Sequence, residues 1–178
     1  MNLQRFFALA CSSLLGAAAL IANVDGVRFN WTASMPVGFY NVGPPKVRRG
    51  EISLVCLPPA TVRTGRERGY LPRGSCASHA SPVGKRIAAT PRDIVELSAT
   101  GLAVNGARIS TSALRTRDSL GRALPHWPLG RHSVGSTEVW LIGVDDDRSW
   151  DSRYFGPVPV SSVIASLRPI ATLRLGRP

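Results

Sequence analysis

A short row of small polar side chains and a lysine further along the chain are candidates for nucleophilic chemistry in this sequence. The segment N-W-T-A-S-M, residues 30–35, alternates polar and apolar residues. A strand directs successive side chains to opposite faces, so Asn30, Thr32 and Ser34 are predicted to line one face of a strand. A serine hydroxyl is a weak nucleophile unless a base lies beside it. A catalytic role for Ser34 therefore requires a base elsewhere in the chain.

The basic residues single out Lys85 as a candidate for that base. Of the 22 basic residues, only Lys46 and Lys85 are lysines. Arginine keeps its proton near neutrality, whereas a buried lysine can lose it. A lysine acts as a base when burial lowers its pKa from about 10.4 toward about 7–8. Lys85 begins an apolar run, K-R-I-A-A, although its position alone fits a surface lysine equally well.

Other catalytic and metal-binding patterns are missing from the sequence. It contains no G-x-S-x-G elbow and no H-E-x-x-H motif. Cys56 and Cys76 have no nearby pair of histidines, which gives poor spacing for metal ligands. We therefore expect no metal and no other cofactor.

An uncharged apolar segment covers residues 6–24. A helix of that length spans about 28 Å, close to the hydrocarbon thickness of a bilayer. We expect a membrane anchor over residues 1–28 and one domain over residues 29–178. Arg5 favours an N-terminus left in the cytoplasm, which places that domain in the periplasm as part of a single-pass inner-membrane protein. The alternative is a cleaved signal peptide with Ala17 and Ala19 in an A-x-A site.

Cys56 and Cys76 would then lie in an oxidising compartment. There they can form a disulfide, closing a loop of about 20 residues and stabilising the fold by about 3 kcal/mol in the chain-entropy model. Two free buried thiols are the alternative.

The high positive charge does not by itself indicate nucleic-acid binding. The net charge is +11, but the arginines are spread along the chain and no aromatic-basic stacking motif accompanies them. A solvated, arginine-rich surface is the preferred interpretation, with no nucleic-acid partner.

Short alternating or apolar runs separated by Gly and Pro predict a mainly β domain, either a small barrel or a sandwich. Asn105-Gly106 is typical of a tight hairpin turn. Residues 160–167 are predicted to form a short amphipathic helix, and residues 110–136 an extended loop. The predicted strands are Phe29–Met35, Glu51–Leu57, Lys85–Ile87, Ile94–Ser98, Leu102–Ile109 and Glu138–Val144.

Three ordered segments resemble the signal peptidase I superfamily of Ser-Lys peptidases. The segment N-W-T-A-S-M-P-V-G-F-Y, residues 30–40, resembles its serine motif, and the S-x-P-x-G-x-Y form is closest to the TraF-type conjugative-transfer peptidases. G-K-R-I-A-A-T-P-R-D, residues 84–93, resembles the lysine motif K-R-x-x-G-x-P-G-D, with Arg92 in place of the second glycine of P-G-D. S-W-D-S-R-Y-F-G-P-V, residues 149–158, is similar to S-x-D-S-R-x-x-G-x-V.

The resemblance implies a role for each matching residue. Ser34 would be the nucleophile and Lys85 its general base, while the Thr32 hydroxyl and the Ser34 backbone N–H would stabilise the oxyanion. The alternative for Thr32 is a β-branched strand residue without a catalytic role. Ser149 would orient the lysine amine, and Asp151 and Arg153 would form a structural salt bridge.

The function implied is that of a membrane-anchored serine endopeptidase that processes exported precursors. The TraF-type resemblance implies maturation of a conjugative pilin, including head-to-tail closure of the pilin chain. Ser34 lies ten residues after Val24, so the nucleophile would work within about 35 Å of the membrane. A general signal peptidase I and a non-catalytic scaffold of a conjugation apparatus are the alternatives. The expected partners are the precursor and the membrane, and the enzyme is expected to be monomeric.

Overall fold

The computed structural model describes residues 26–32, 34–143 and 146–173. The predicted anchor over residues 1–28 lies almost entirely outside these ranges and stays a prediction. Across the described ranges, no helix has the length and apolar character needed to span a bilayer.

Eleven strands in two antiparallel sheets form the framework of the described chain, which confirms the mainly β prediction. The strands are β1 Val27–Asn30, β2 Val37–Gly43, β3 Ile52–Val55, β4 Val83–Ala89, β5 Ile94–Ser98, β6 Gly101–Val104, β7 Ala107–Arg108, β8 Gly130–Ser133, β9 Glu138–Ile142, β10 Val158–Pro159 and β11 Val163–Leu173. The larger sheet has the order β1-β2-β11-β3-β4-β9-β10, and the smaller sheet has the order β7-β6-β5-β8.

Most of the predicted strands are present. Ile94–Ser98 is matched by β5, and the predicted strand over residues 102–109 is a hairpin of β6 and β7. Asn105 and Gly106 form its turn with φ of 50° and 79°, a conformation that Asn and Gly tolerate best. Of the Glu138–Val144 prediction, β9 ends at Ile142, and Val144 lies outside the described residues.

The strand predicted over Phe29–Met35 is wrong beyond Asn30. Strand β1 pairs with β2 only as far as Asn30 opposite Gly38, and the intervening residues reverse the chain. Thr32 and Ser34 therefore lie in the loop that connects the two strands, and the period of two does not place them. We call the segment from residue 31 to residue 36 the nucleophile loop.

The helix predicted over residues 160–167 is also wrong. Residues Val160–Ser162 form one 3₁₀ turn, and the chain then continues as β11 between β2 and β3. The apolar spacing fits a helix, but the strand buries Val163, Ala165 and Leu167 in the core and leaves Ile164 and Arg168 exposed. Pairing on both sides of the strand outweighs the local pattern.

Two short helices were not predicted. Helix α1, Pro59–Glu67, lies in the loop closed by Cys56 and Cys76, which are joined in a disulfide. The helix begins at Pro59, and proline is compatible with the first turn of a helix. Helix α2, Ser152–Phe155, has Asp151 as its N-cap, and the Asp151 side chain accepts a hydrogen bond from the backbone N–H of Arg153 at 3.2 Å. The predicted loop over residues 110–136 is interrupted by β8.

Three apolar clusters form the core of the described chain. One joins the two sheets, with Ala88 and Trp140 from the larger sheet packed with Val95 and Leu102 from the smaller one, as in a sandwich. A second packs α1 through Val62 against β3, β4 and β9. The third contains Met35, Tyr40, Leu54, Ala165 and Leu167. Burial of each large side chain contributes about 1.5–3 kcal/mol, so the third cluster fixes the nucleophile loop at Met35.

Candidate active site

The nucleophile loop is anchored on its C-terminal side by buried groups. Met35 is 4% exposed, and the Tyr40 hydroxyl donates a hydrogen bond to the Pro36 carbonyl at 2.6 Å. Gly38 has a φ of +148°, and a Cβ atom there would lie 2.1 Å from the carbonyl oxygen of Ala171. The P-x-G-x-Y part of the motif therefore has a structural explanation, because strand β11 approaches too closely for any side chain at Gly38.

The side chain of Asn30 holds the loop from the other side. Its amide nitrogen donates to the carbonyl oxygens of Thr32, Met35 and Pro36 at 2.8, 3.0 and 3.1 Å. Its amide oxygen accepts from the backbone N–H of Thr32 at 3.2 Å and from the Thr32 hydroxyl at 2.8 Å. The sequence pattern included Asn30 in the polar row but assigned it no role.

Thr32 and Ser34 meet although neither lies on a strand. Their hydroxyl oxygens are 3.1 Å apart. The Ser34 hydroxyl also lies 3.5 Å from the carbonyl oxygen of Gly84, the residue before Lys85. The strand pattern predicted that Thr32 and Ser34 lie side by side on one strand face. They are neighbours in the structure, but because the loop folds around Asn30.

Lys85 is a buried lysine on β4. It is 5% exposed, and its amine donates a hydrogen bond to the Ser149 hydroxyl. Burial lowers the pKa of Lys85 from 10.5 to about 8; the Asp151 carboxylate opposes this shift and the Arg153 guanidinium adds to it. A substantial fraction of the amine is therefore neutral at mildly alkaline pH.

Asp151 and Arg153 form a fully buried ion pair with two contacts. The Arg153 Nε and Nη2 atoms each lie 2.8 Å from an Asp151 carboxylate oxygen. Arg153 also donates to the carbonyl oxygens of Ala113 and Ser149 at 2.7 and 2.9 Å, and Asp151 accepts from the backbone N–H of Gly143 at 2.9 Å. These bonds fix the backbone on which Ser149 is carried.

Ser34, Lys85 and Ser149 line one cleft of about 440 Å³, which we call the Ser34 cleft. No direct hydrogen bond joins the Ser34 hydroxyl to the Lys85 amine among the bonds of the described chain. The walls of the cleft are largely apolar and include Trp31, Met35, Tyr70, Leu71, Val83 and Trp150.

Part of this wall was not predicted from the sequence. Tyr70 and Leu71 follow α1 within the disulfide loop, and the Tyr70 ring packs against the Trp150 ring with centroids 5.3 Å apart. The Pro, Gly and Arg content of that loop gave no signal of a cleft wall. Within residues 26–32, 34–143 and 146–173, no group of three or more metal-ligating side chains is found.

The family model for signal peptidases, peptidase S26, matches residues 3–171. The chain belongs to this signal peptidase family. The resemblance inferred from the three motifs is thereby confirmed.

Proteins that resemble this chain over most of its length include proteins named for plasmid and conjugal transfer. A plasmid transfer protein TraF of Escherichia coli is 37% identical over 161 residues, covering 88% of this chain and 91% of that protein. A conjugal transfer protein TraF of Agrobacterium fabrum is 33% identical over 173 residues, covering 94% of each chain. A signal peptidase I of Enterococcus faecalis, known from its crystal structure, aligns over 71% of this chain and 100% of that one, with a TM-score of 0.42 and 21% identity.

Proposed function

We propose that this protein is a membrane-anchored serine endopeptidase that cleaves exported precursors of a conjugation apparatus through Ser34 and Lys85. The observation that carries the proposal is the buried Lys85 amine, whose pKa is lowered to about 8, in the cleft that also contains the Ser34 hydroxyl. A lysine with this pKa is partly neutral at mildly alkaline pH and can accept a proton. Burying a cationic side chain is costly, so a purely structural site gains little from it.

In the first chemical step the Ser34 oxygen attacks the scissile carbonyl carbon and its proton passes to the Lys85 amine. Catalytic hydrogen bonds are often longer without substrate, so a small rotation that turns the Ser34 hydroxyl toward the Lys85 amine is part of this step. The Ser149 hydroxyl, as the hydrogen-bond partner of the amine, keeps the Lys85 side chain directed into the cleft.

The resulting oxyanion would be stabilised by the Thr32 hydroxyl and the Ser34 backbone N–H. Each such donor contributes about 2.7–4 kcal/mol to transition-state stabilisation in hydrolases of this chemistry. Collapse of the intermediate breaks the peptide bond, the leaving amine takes the proton from Lys85, and the acyl group stays on Ser34. Lys85 then removes a proton from the second nucleophile, which releases the product and restores the Ser34 hydroxyl.

The second nucleophile determines the product. Water gives a linear cleaved protein, whereas the amino terminus of the same substrate gives a closed ring. The relatives named for plasmid and conjugal transfer support a precursor from a conjugation apparatus, and we propose a pilin precursor that is closed head to tail. We further propose that the predicted anchor holds the Ser34 cleft near the periplasmic surface of the inner membrane.

The test is processing of a co-expressed candidate pilin precursor, read from its intact mass. Wild-type protein should remove a segment from the precursor, and loss of one further water from the product mass reports ring closure. Ser34→Ala and Lys85→Arg should leave the precursor intact, because the first lacks the nucleophile and the second cannot deprotonate. Lys46→Arg is the matched control and should process normally.

Equal processing by Lys85→Arg and Lys46→Arg would contradict the proposal. Processing of many unrelated signal-peptide-bearing precursors with the same efficiency would instead support a general signal peptidase I. Normal conjugation with Ser34→Ala would support a non-catalytic scaffold.

A further inference from the structure

We propose that Asn30 is a positioning residue for this reaction, which shapes the nucleophile loop and fixes the orientation of the Thr32 hydroxyl. The inference rests on the proposed function, because it assigns Asn30 a part in presenting Ser34 and Thr32 to the substrate. Asn30 is the last residue of β1 and stands before the segment that reverses the chain. Asn30 therefore belongs to a paired strand, and its side chain can hold the loop that follows.

The Asn30 side-chain amide makes five hydrogen bonds to the nucleophile loop. The two hydrogens of the Asn30 amide nitrogen face three carbonyl oxygens, those of Thr32, Met35 and Pro36, all within 3.1 Å. These carbonyls lie before and after Ser34 in the chain. Their convergence on one nitrogen fixes the path of the backbone around Ser34, including the direction of the Ser34 N–H that would serve the oxyanion.

The amide oxygen fixes the direction of a chain of hydroxyl protons. An amide oxygen can only accept, so in its 2.8 Å contact the Thr32 hydroxyl donates its proton to Asn30. With that proton engaged, the 3.1 Å contact between Thr32 and Ser34 is one in which the Ser34 hydroxyl donates. In the free protein, the protons thus run from Ser34 to Thr32 to Asn30.

Both protons change partners when the reaction starts. The Ser34 proton goes to the Lys85 amine, and the Thr32 hydroxyl is then free to rotate its hydrogen from the Asn30 oxygen to the developing oxyanion. The Thr32 backbone N–H stays bound to the same Asn30 oxygen, so the Thr32 oxygen is held in place while its hydrogen turns. Asn30 therefore acts through Thr32 and Ser34 and does not itself contact the reacting atoms.

Two substitutions separate this role from simple folding support. Asn30→Ala removes every contact, and we expect kcat to fall about 10²-fold, since a displacement of about 1 Å at a catalytic group has that effect. Asn30→Asp keeps an acceptor for Thr32 but places a carboxylate against three carbonyl oxygens, and its kcat should fall at least as far. Because Asn30 does not touch Lys85, the pH at which activity reaches half its maximum should stay unchanged in Asn30→Ala, and KM should change less than twofold.

The decisive experiment is a double-mutant cycle with Thr32. The substrate is an internally quenched peptide that spans the cleavage site mapped in the wild-type processing assay. If Asn30 acts largely through Thr32, Asn30→Ala combined with Thr32→Ala should lose far less than the product of the two single losses in kcat. Asn41→Ala on β2 is the matched control, since it removes an exposed asparagine from the same strand pair and should keep wild-type kcat.

Wild-type kcat in Asn30→Ala would overturn the inference. A double variant whose loss of kcat equals the product of the two single-variant losses would also overturn it. A loss of kcat matched by a proportional loss of folded protein, measured by circular dichroism at the assay temperature, would also overturn it. None of these outcomes affects the proposed function, which fails separately if Ser34→Ala cleaves the same peptide.

Discussion

The Lys85 amine donates a hydrogen bond to the Ser149 hydroxyl at a position where only 5% of the lysine is exposed. Ser149 is carried by a backbone that the buried Asp151–Arg153 pair holds through the Ser149 carbonyl. A neutral hydroxyl partner orients the amine without raising its pKa. A carboxylate at the same place would raise the pKa and keep the amine charged. This relationship explains how one lysine in a chain rich in arginine is both fixed in place and kept ready to lose its proton.

The burial of Lys85 should make the stability of the protein depend on pH. The lysine pKa is about 8 in the folded protein and 10.5 as a free side chain, so between these values the unfolded chain binds the additional proton. Stability should therefore rise with pH from about 8 to about 10.5, and the burial penalty is fully present below 8. Lys85→Met should raise the free energy of unfolding by about 3 kcal/mol at pH 7, measured by urea denaturation.

The stability gain of Lys85→Met should disappear above pH 10.5, because Lys85 is then neutral in both the folded and the unfolded wild-type chain. Lys46→Met is the control for removal of a lysine and should not reproduce the gain. A Lys85→Met variant that is no more stable than wild type at pH 7 would show that Lys85 carries no burial penalty.

Ser53 is a buried residue whose hydroxyl has no hydrogen-bond partner among the described residues. It lies on β3, paired with Lys85 on one neighbouring strand and with Ser166 on the other. An unpaired buried hydroxyl is costly, so Ser53→Ala should stabilise the protein by about 1 kcal/mol. Ser166→Ala is the matched comparison, because that hydroxyl donates to the Pro44 carbonyl at 2.9 Å and its loss should destabilise. Thermal denaturation that shifts the Tm of both variants in the same direction would refute this explanation.

Arg92 occupies a turn position with φ of +75°, where the related lysine motif has glycine. A residue with a Cβ atom is strained in this left-handed region by about 1–2 kcal/mol. Arg92→Gly should therefore raise the free energy of unfolding by about 1 kcal/mol in a urea titration. Arg92→Ala removes the same exposed side chain but keeps Cβ, and it should give no such gain. Equal stability of the two variants would show that the turn is not strained.

The Cys56–Cys76 disulfide closes the loop that carries α1 and the Tyr70 side of the Ser34 cleft. Replacing both cysteines with alanine should lower the free energy of unfolding by about 3 kcal/mol, since the constraint on the unfolded chain is lost. Wild-type protein measured in reductant should show the same decrease. Mass spectrometry without reductant that finds free thiols at both Cys56 and Cys76 in the wild-type protein would contradict the pairing.

The sequence was sufficient for those features that depend on residue type and local pattern. The β5 strand and the Asn105-Gly106 turn followed from alternation and from the tolerance of Asn and Gly for positive φ. The selection of Lys85 as a candidate base followed from the rarity of lysine, whereas its burial is a finding of the structure. These signals are contained within a few neighbouring residues.

The features that the sequence could not provide depend on contacts between distant segments. Strand β11 has helical apolar spacing, and only its pairing with β2 and β3 makes it a strand. The row of Asn30, Thr32 and Ser34 suggested one strand face, whereas the chain reverses there and a side-chain amide organises the loop. Hydrogen bonds from a side chain to backbone carbonyls have no periodic signature in a sequence.

Lys85 should lose its proton at mildly alkaline pH, and because the chain has only two lysines this can be measured directly. Lysine labelled with ¹³C at Cε gives only two resonances in this chain, and the Lys46→Arg variant leaves the resonance of Lys85 alone. We predict that this resonance titrates with a pKa of about 8 in the folded protein. Titration near the ordinary lysine value of about 10.4 would contradict the account.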